Sequence, residues 1–215
     1  MCSTATARSC TKNMEPKSKI AILGGSFNPP HNGHVHLLNA FRENMHFDKV
    51  LILPAGIPPH KQAAELAAGE HRLAMCRLAF PDAEVCDIEV KTGGKNYTAD
   101  TLEILKRQYP QAQLYFIMGT DMLLSFASWR DPERIVRNAV LLCDCRDEKT
   151  SAEQLREFAK TKLHLSSEQC IISDVVPLPL SSTQVRNACR RGESIAALVP
   201  PAVAEYIKEE GLYGG

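Results

Sequence analysis

The chain has 215 residues, 44% of them hydrophobic, and its 25 basic and 25 acidic residues give a formal net charge of zero. This length and composition predict a globular protein with one domain of ordinary size. The lack of a basic excess argues against nucleic-acid binding. No apolar stretch approaches the length of about eighteen residues that a membrane span needs. The first 18 residues are small, polar and mildly basic, without the apolar core of a secretory signal. We therefore expect a disordered tail over 1–18 and a single domain over 19–215.

Eight cysteines are spread along the chain, and none of them forms a CxxC pair. Without a secretion signal, this cysteine usage is typical of a reduced, cytoplasmic protein. Cys143 and Cys145 lie two residues apart in a strand-like run, so their side chains would share one face. We interpret the cysteines as small buried apolar residues rather than as metal ligands.

Short apolar runs alternate with segments of helical periodicity. This alternation predicts an α/β fold of the Rossmann-like, doubly wound kind, with a mostly parallel sheet, helices on both faces and a single domain. Ligands bind such a sheet at the carboxyl ends of its strands, near the switch point. The long connection over 54–69 is expected to form a mobile lid or substrate loop. Strands are predicted over 20–23, 50–53, 84–90, 114–118, 139–143 and 170–176, and helices over 34–45, 70–79, 98–108, 152–162, 183–191 and 201–209.

The connection after the first predicted strand reads GGSFNPPHNGH (24–34), and it enters a helix near Gly33 or His34. Glycines allow a sharp turn and a close approach to a ligand, and the N–H groups at a helix start favour phosphate. His31 and His34 add imidazole donors that could stabilise charge in a transition state. The spacing matches neither G-x-G-x-x-G nor the P-loop. A structural turn with surface histidines stays open at this point, as does a zinc site, although zinc lacks a third nearby ligand.

A second anion-friendly helix start lies in SSTQVRNACRRG (181–192), directly after the last apolar run. One of its first two serines would cap the helix, and its glycine would end it. Ser182, Thr183 and Arg186 would cluster at the first turn, where hydroxyls and a guanidinium suit phosphate. A plain capped helix explains this segment on its own. Two such sites, each after a strand of the same sheet, are more informative together.

Two further segments and one connection carry candidate residues. His60 and Lys61, in PPHK of the long connection, could clamp a second phosphate or could be solvated loop residues. Thr98 in NYTADTLEIL lies near a helix start, and an N-cap role accounts for it fully. In MGTDMLLSFASWRD, after the fourth strand, Asp121 could hold ribose hydroxyls. Trp129 in that segment could stack on a flat ring or belong to the core.

Together these motifs resemble the nicotinate-nucleotide adenylyltransferases of the HxGH nucleotidyltransferase superfamily. The resemblance runs from about Lys19 to Tyr213 and rests on GGSFNPPHNGH, PPHK, HRLAM, YTADTL, FIMGTDML, FASW, SSTQVR and LVPPAVAEYIKEEGLY, in that order. The HNGH element alone is shared with pantetheine-phosphate and cytidylyl enzymes, whereas the ordered set is specific. Leu180 stands where the family often has Ile, which is a packing difference.

The resemblance implies adenylyl transfer from ATP to nicotinate mononucleotide, which gives deamido-NAD and pyrophosphate in NAD biosynthesis. It implies direct in-line attack without a covalent enzyme intermediate, a reaction that asks mainly for positioning and charge stabilisation. It also implies Mg²⁺ held by the ATP phosphates and water, without a protein ligand. The expected partners are the two substrates, with no nucleic acid and no membrane, and the sequence leaves monomer and homo-oligomer open.

Parts of the sequence also fit other functions. YTADTL and FASW favour a pyridine acceptor, and the alternative is a preference for nicotinamide mononucleotide or another phosphate monoester such as phosphopantetheine. A catalytically inactive nucleotide sensor would be expected to lack His31, His34 or Arg186, and all three are present.

The resemblance also implies roles for individual residues. His31 and His34 are the implied catalytic residues, and His34 is the expected transition-state stabiliser. The implied ATP-binding residues are Gly24, Gly25, Ser26, Phe27, His31, His34, Gly119, Asp121, Ser182, Thr183 and Arg186. The implied mononucleotide-binding residues are His60, Lys61, Thr98, Asp121, Trp129 and Arg130.

Particular contacts follow from the same resemblance. Residues 24–27 would line the nucleotide through their backbone, and the first turn of the helix after Ser181 would grip the β and γ phosphates of ATP. Lys61, with its neighbouring histidine, would face the phosphate of the mononucleotide. Thr98 and the backbone near Trp129 would receive the pyridine carboxylate, with the indole stacked on the ring.

Overall fold

The computed structural model of the chain describes residues 18–57, 66–145, 151–174 and 178–214. Within these ranges lies a six-stranded sheet in the order β3-β2-β1-β4-β5-β6, and every neighbouring pair is parallel. The chain therefore starts at the centre of the sheet and builds outward to both sides, which confirms the predicted doubly wound fold. The strands are β1 (Ser18–Gly25), β2 (Lys49–Pro54), β3 (Glu84–Val85), β4 (Ala112–Met118), β5 (Ala139–Cys143) and β6 (Cys170–Ile172).

Helices connect the strands and cover both faces of the sheet. Within the described ranges they are α1 (Asn32–Asn44), α2 (Gly69–Ala79), α3 (Ile88–Thr92), α4 (Thr98–Gln108), α5 (Thr120–Leu124), α6 (Pro132–Asn138), α7 (Ala152–Thr161), α8 (Ser182–Arg190) and α9 (Pro201–Glu209). A short 3-10 turn over Phe126–Ser128 separates α5 from α6. None of the helices in the described part of the chain is long and apolar enough to cross a membrane.

The sheet is buried on both faces because successive residues of a strand point to opposite sides. In β1, Ile20 and Ile22 face the core under α4, α6 and α7. Ala21 and Leu23 face the core under α1, α2, α8 and α9. Strands buried on both faces are apolar throughout, as expected for a parallel sheet. This is why the sequence shows short apolar runs rather than alternating ones.

Several boundaries differ from the sequence prediction. The predicted strand 84–90 is a strand only over its first two residues, and Ile88–Thr92 form α3 instead. β3 is an edge strand that pairs only with Leu51 and Ile52 of β2, and a short apolar run cannot distinguish strand from helix by periodicity. β6 ends at Ile172, and the last two residues of the predicted strand 170–176 lie outside the described ranges. Helices α3, α5 and α6 were not predicted, because five to seven residues are too few to show helical periodicity.

Two further segments named in the sequence lie partly outside the described residues. β1 begins at Ser18, the last residue of the expected tail, and residues 1–17 lie outside the described ranges. Of the expected lid over 54–69, residues 58–65 also lie outside them, together with His60 and Lys61. Their expected roles stay predictions.

Candidate active site

The loop between β1 and α1 is shaped by aromatic packing. A Cβ atom on Gly24 would lie 3.1 Å from the ring of Phe116, and one on Gly25 would lie 3.3 Å from the ring of Phe27. The two glycines therefore leave room for rings, a reason that the sequence did not suggest. The residue of this loop with a left-handed backbone is Phe27, at φ 43°. Its side chain is fully buried, so only the backbone of Phe27 can face a ligand.

His31 and His34 lie against each other at the start of α1. Their ring centroids are 3.7 Å apart, with an angle of 34° between the ring planes. A Cβ atom on Gly33 would come within 3.0 Å of His31 Nδ1. The glycine of H-x-G-H is therefore needed because the buried ring of His31 lies over it.

The tautomer of His34 follows from its contact with the backbone. The N–H of His31 donates to His34 Nδ1 at 3.2 Å. A nitrogen that accepts a hydrogen bond carries no proton, so the proton of the neutral ring is on Nε2. His34 can thus offer an Nε2–H donor without being protonated. This is the kind of group that can stabilise negative charge on a phosphoryl oxygen.

The first turn of α8 docks on the loop between β1 and α1. Ser182 Oγ donates to the carbonyl of Pro29 at 2.8 Å. Arg186 Nη1 donates to the carbonyl of Asn28 at 2.8 Å, and its Nη2 donates to Thr183 Oγ1 at 3.2 Å. Two motifs about 150 residues apart thus meet at one place, so both anion-friendly helix starts surround the same loop.

Ser181 caps α8, because its hydroxyl accepts a hydrogen bond from the N–H of Gln184 at 3.3 Å. The structure thereby decides between the two serines that the sequence left open. Since the hydroxyl of Ser182 donates to Pro29, the backbone N–H groups of Ser182 and Thr183 are the donors that this helix start offers to an anion. Gly192, at φ 66°, follows the end of the helix as predicted.

The end of β4 lies beside the end of β1 at the switch point of the sheet. Gly119 is the N-cap of α5, and the exposed Asp121 lies in its first turn. Thr120 is held by Asp144: its N–H donates to Asp144 Oδ1 and its hydroxyl donates to the Asp144 carbonyl, both at 2.9 Å. Sequence reasoning did not identify Asp144. Its position directly after β5, at the carboxyl end of a strand, was the available signal.

A cavity of about 800 Å³ lies next to this end of the sheet. It is lined by Asn96, Tyr97, Thr98, Met122, Ser125, Ser128, Trp129, Arg130 and Ile135. The structure therefore brings together Thr98, Trp129 and Arg130, which the sequence grouped only through the family resemblance. Thr98 is not the N-cap of α4, because the helix begins at Thr98 and Tyr97 occupies the cap position without a side-chain bond.

Aromatic rings pack at one side of this cavity. Trp129 is half-buried, and its indole packs against Phe126, with ring centroids 5.6 Å apart, and edge-on against Phe116 at 6.3 Å. The guanidinium of Arg130 lies over the ring of Tyr97, 4.4 Å from its centroid. Phe116 also contacts the Gly24 side of the first loop, so one ring adjoins both halves of the candidate site.

Besides Asp144, two further buried charged residues beside the site were not identified from the sequence. Arg72 is 3% exposed and Glu89 is 7% exposed. Burial lowers the pKa of Arg72 and raises the pKa of the Glu89 carboxyl. Charged side chains are almost never fully buried without partners, so burial marks these two residues as unusual. The sequence could not show this, because burial depends on the tertiary structure. Arg72 lies in HRLAM, a family motif to which the sequence assigned no role.

Comparison with known proteins agrees with this fold. Residues 22–188 match the family model described as Cytidylyltransferase-like, which defines the general class. A Synechococcus protein named "Probable nicotinate-nucleotide adenylyltransferase" is 38% identical over 198 residues, which cover 91% of this chain and 96% of the relative. A protein of the same name from Shewanella pealeana is 36% identical, covering 92% and 96%. This chain therefore belongs to the family of nicotinate-nucleotide adenylyltransferases.

A solved structure agrees at the level of the fold. It is the nicotinic acid mononucleotide adenylyltransferase of Plasmodium falciparum in complex with NaAD. It matches 91% of this chain and 97% of its own chain, with a TM-score of 0.70 and 19% sequence identity. At this identity the likeness concerns the fold alone.

Proposed function

We propose that this protein transfers the adenylyl group of ATP to nicotinate mononucleotide, giving deamido-NAD and pyrophosphate. The observation that carries the proposal is the docking of the α8 start on the loop before α1, through Ser182 and Arg186. This contact gathers helix N-termini, imidazoles and a guanidinium around one loop, a donor set suited to a polyphosphate. The lined cavity with Trp129 lies at the same end of the sheet and suits a flat pyridine ring.

The reaction that this arrangement supports is a direct in-line displacement. A phosphate oxygen of the mononucleotide attacks the α-phosphorus of ATP and forms the new P–O bond. The bond from the α-phosphorus to the oxygen bridging to the β-phosphorus breaks, and pyrophosphate leaves with the electron pair. Such a reaction requires alignment and charge stabilisation rather than an enzyme nucleophile. We assign the Nε2–H of His34 to the charge at the α-phosphate, and His31 with Arg186 to the positioning of the phosphates.

The nicotinate carboxylate is the feature that the acceptor site would recognise. The guanidinium of Arg130 supplies positive charge at the cavity, and the hydroxyl of Thr98 with nearby backbone N–H groups supplies donors. A carboxylate gains more from such groups than a neutral amide does. His60 and Lys61 remain the residues proposed for the phosphate of the mononucleotide.

Mg²⁺ is part of the proposal. The groups around the loop before α1 are mostly hydrogen-bond donors, which suit phosphate oxygens, whereas Mg²⁺ requires oxygen ligands. Across the described ranges, no group of three or more His, Cys, Asp or Glu residues could hold a metal ion. We therefore expect the phosphates of ATP and water to hold Mg²⁺, which would offset negative charge on the transferred group.

We also propose a cytoplasmic location. The described cysteines Cys76, Cys143 and Cys170 are buried free thiols, and such usage is typical of a reducing compartment. The zero net charge supports the expectation that no nucleic acid is bound.

Product identification tests the function directly. The purified protein is incubated with ATP, Mg²⁺ and either nicotinate mononucleotide or nicotinamide mononucleotide, and the products are separated and identified. We expect deamido-NAD and pyrophosphate, with a higher kcat/KM for the acid and no reaction when Mg²⁺ is chelated. A higher kcat/KM for the amide would support the alternative acceptor. Phosphopantetheine serves as the third acceptor, and activity on it alone would place the protein among other HxGH adenylyltransferases.

A further inference from the structure

The buried guanidinium of Arg72 binds the carbonyls of three separate chain segments. Its Nη1 donates to Ser26 at 3.0 Å and to Ala55 at 2.5 Å. Its Nη2 donates to Gly56 at 3.0 Å, and its Nε donates to Ala67 at 3.1 Å. One side chain of α2 thus connects the loop after β1, the residues after β2 and the residues before α2. These four hydrogen bonds within the described part of the chain all go to backbone carbonyls, and a guanidinium taken out of water is costly unless its donors are satisfied in this way.

Glu89 holds the same segment from the other side. The N–H of Gly56 donates to the Glu89 carboxylate, and the hydroxyl of Thr101 donates to Glu89 Oε1 at 2.7 Å. The peptide units of Gly56 are therefore bound on one side by a buried cation and on the other by a buried carboxyl. A Cβ atom on Gly56 would collide with Asn96 and with the backbone of Glu89, so the chain packs closely on Gly56 and leaves no space for a side chain there.

The held segment lies between the two halves of the candidate site. On one side, the N–H of Ala55 donates to the carbonyl of Gly25 at 2.8 Å. On the other side, the N–H of Ile57 donates to the carbonyl of Gly94 at 3.2 Å, two residues before Asn96, which lines the acceptor cavity. Residues 55–57 therefore connect the loop between β1 and α1, which we call the ATP loop, with the cavity that contains Thr98 and Trp129, which we call the acceptor cavity.

We propose that Arg72 is a positioning residue that fixes the ATP loop against residues 55–57 and so sets the alignment of the two substrates. This inference rests on the proposed function, because alignment matters only when two bound substrates react with each other. In-line attack is sensitive to placement, and a misplacement of about 1 Å can cost about 100-fold in rate. Each substrate alone would still find its own subsite. Loss of Arg72 should therefore lower kcat much more than it weakens the binding of either substrate.

The test compares Arg72→Lys and Arg72→Met with the matched controls Arg77→Lys and Arg77→Met, which change an exposed arginine of the same helix. Lysine keeps the charge but lacks the planar fork that reaches four carbonyls. Dissociation constants are measured by calorimetry for a non-hydrolysable ATP analogue and for nicotinate mononucleotide separately. Turnover at saturation is measured at a temperature where urea unfolding shows each variant to be folded.

We expect Arg72→Lys to lower kcat by about 10- to 100-fold while each dissociation constant stays within about threefold of wild type, and Arg77 variants to behave as wild type. A folded Arg72→Lys variant with near-normal kcat would overturn the inference, and so would a loss confined to substrate affinity. If Arg72→Met does not fold, Glu89→Gln provides the second test. Because both side chains hold Gly56, the double variant Arg72→Lys/Glu89→Gln should lose less kcat than the two single losses multiplied; multiplicative losses contradict the shared role.

The same assay separates this inference from the proposed function. A wild-type protein that forms no deamido-NAD refutes the function, whereas an active wild type with an unimpaired Arg72→Lys variant refutes only the positioning role.

Discussion

At the scale of single residues, the two ring nitrogens of His34 have different hydrogen-bonding roles. Nδ1 accepts the N–H of His31, so Nε2 holds the proton of the neutral ring. The structure therefore favours a neutral His34 that stabilises charge by donation from Nε2, rather than an imidazolium.

This assignment predicts an order of activity among His34 variants. We expect His34→Ala to lower kcat by about 100- to 1,000-fold, because a preorganised donor at the developing charge is lost. His34→Gln should retain more turnover than His34→Asn, since the longer amide places its N–H₂ near the position of Nε2. Steady-state kinetics with saturating substrates provides the measurement.

His36→Ala is the matched control for these variants, because His36 also lies on α1 but does not belong to the stacked pair. It should turn over as wild type does. If His34→Ala also kept near-normal kcat, the role given to His34 would be wrong.

At the scale of elements, α8 completes the site that α1 begins. The loop before α1 supplies carbonyls of Asn28 and Pro29, and α8 supplies the donors that hold them, Arg186 and Ser182. The amphipathic pattern of α8 buries Val185 and Ala188 in the core, which fixes its first turn over the loop. We expect the two helix starts to form one anion-binding region, because their partial positive charges would add there.

We expect Arg186→Lys to raise KM for ATP and lower kcat/KM by about 10- to 100-fold, because lysine cannot bind Asn28, Thr183 and a phosphate at once. Initial rates at varied ATP and constant mononucleotide give both parameters. Arg190→Lys is the matched control: this exposed arginine of α8 donates to Asn187 Oδ1 at 3.2 Å, and its variant should match wild type. Equal kinetics for the two variants would show that α8 does not bind ATP through Arg186.

At the scale of the whole molecule, the last residues of the domain return to its first loop. Tyr213 donates its hydroxyl to Asn28 Oδ1 at 2.9 Å, and the same oxygen accepts the N–H of Ala67 at 2.9 Å. Nearer to α9, the N–H of Asn32 donates to the carbonyl of Leu198 at 2.9 Å. The C-terminal segment therefore supports the loop that carries the two histidines.

Tyr213→Phe removes the hydroxyl that donates a hydrogen bond to this loop, and it keeps the aromatic ring. We expect the free energy of unfolding to fall by about 1 kcal/mol, measured by urea unfolding, and kcat/KM for ATP to fall severalfold. The control Tyr206→Phe removes the hydroxyl that contacts His71 Nδ1 at 2.9 Å, away from the loop. It should lose similar stability while keeping its activity. Parallel losses of activity in both variants would mean that stability, not loop support, is responsible.

Most strands and helices could be predicted from the sequence, because a buried strand or helix face requires apolar residues at regular local spacing. The apolar runs at β1, β2, β4 and β5 predicted strands that the structure confirms, and the helical segments predicted α1, α2, α4 and α7 to within two residues at each end. The misassigned region was 84–90, where a two-residue edge strand gives way to α3. Short elements at a sheet edge bury little surface, so their pattern in the sequence is weak.

The sequence by itself determined the fold class, the family and the segments that carry the site, because hydrophobic periodicity and motif order are properties of the linear chain. Only the tertiary structure decided how these segments meet: that α8 docks on Asn28 and Pro29, and that Arg72 joins three loops. It also decided that the glycines after β1 give space to rings. The physical reason is that these contacts join side chains to backbone carbonyls far apart in the sequence. Every residue has a backbone carbonyl, so no sequence motif can show which carbonyl will accept a hydrogen bond.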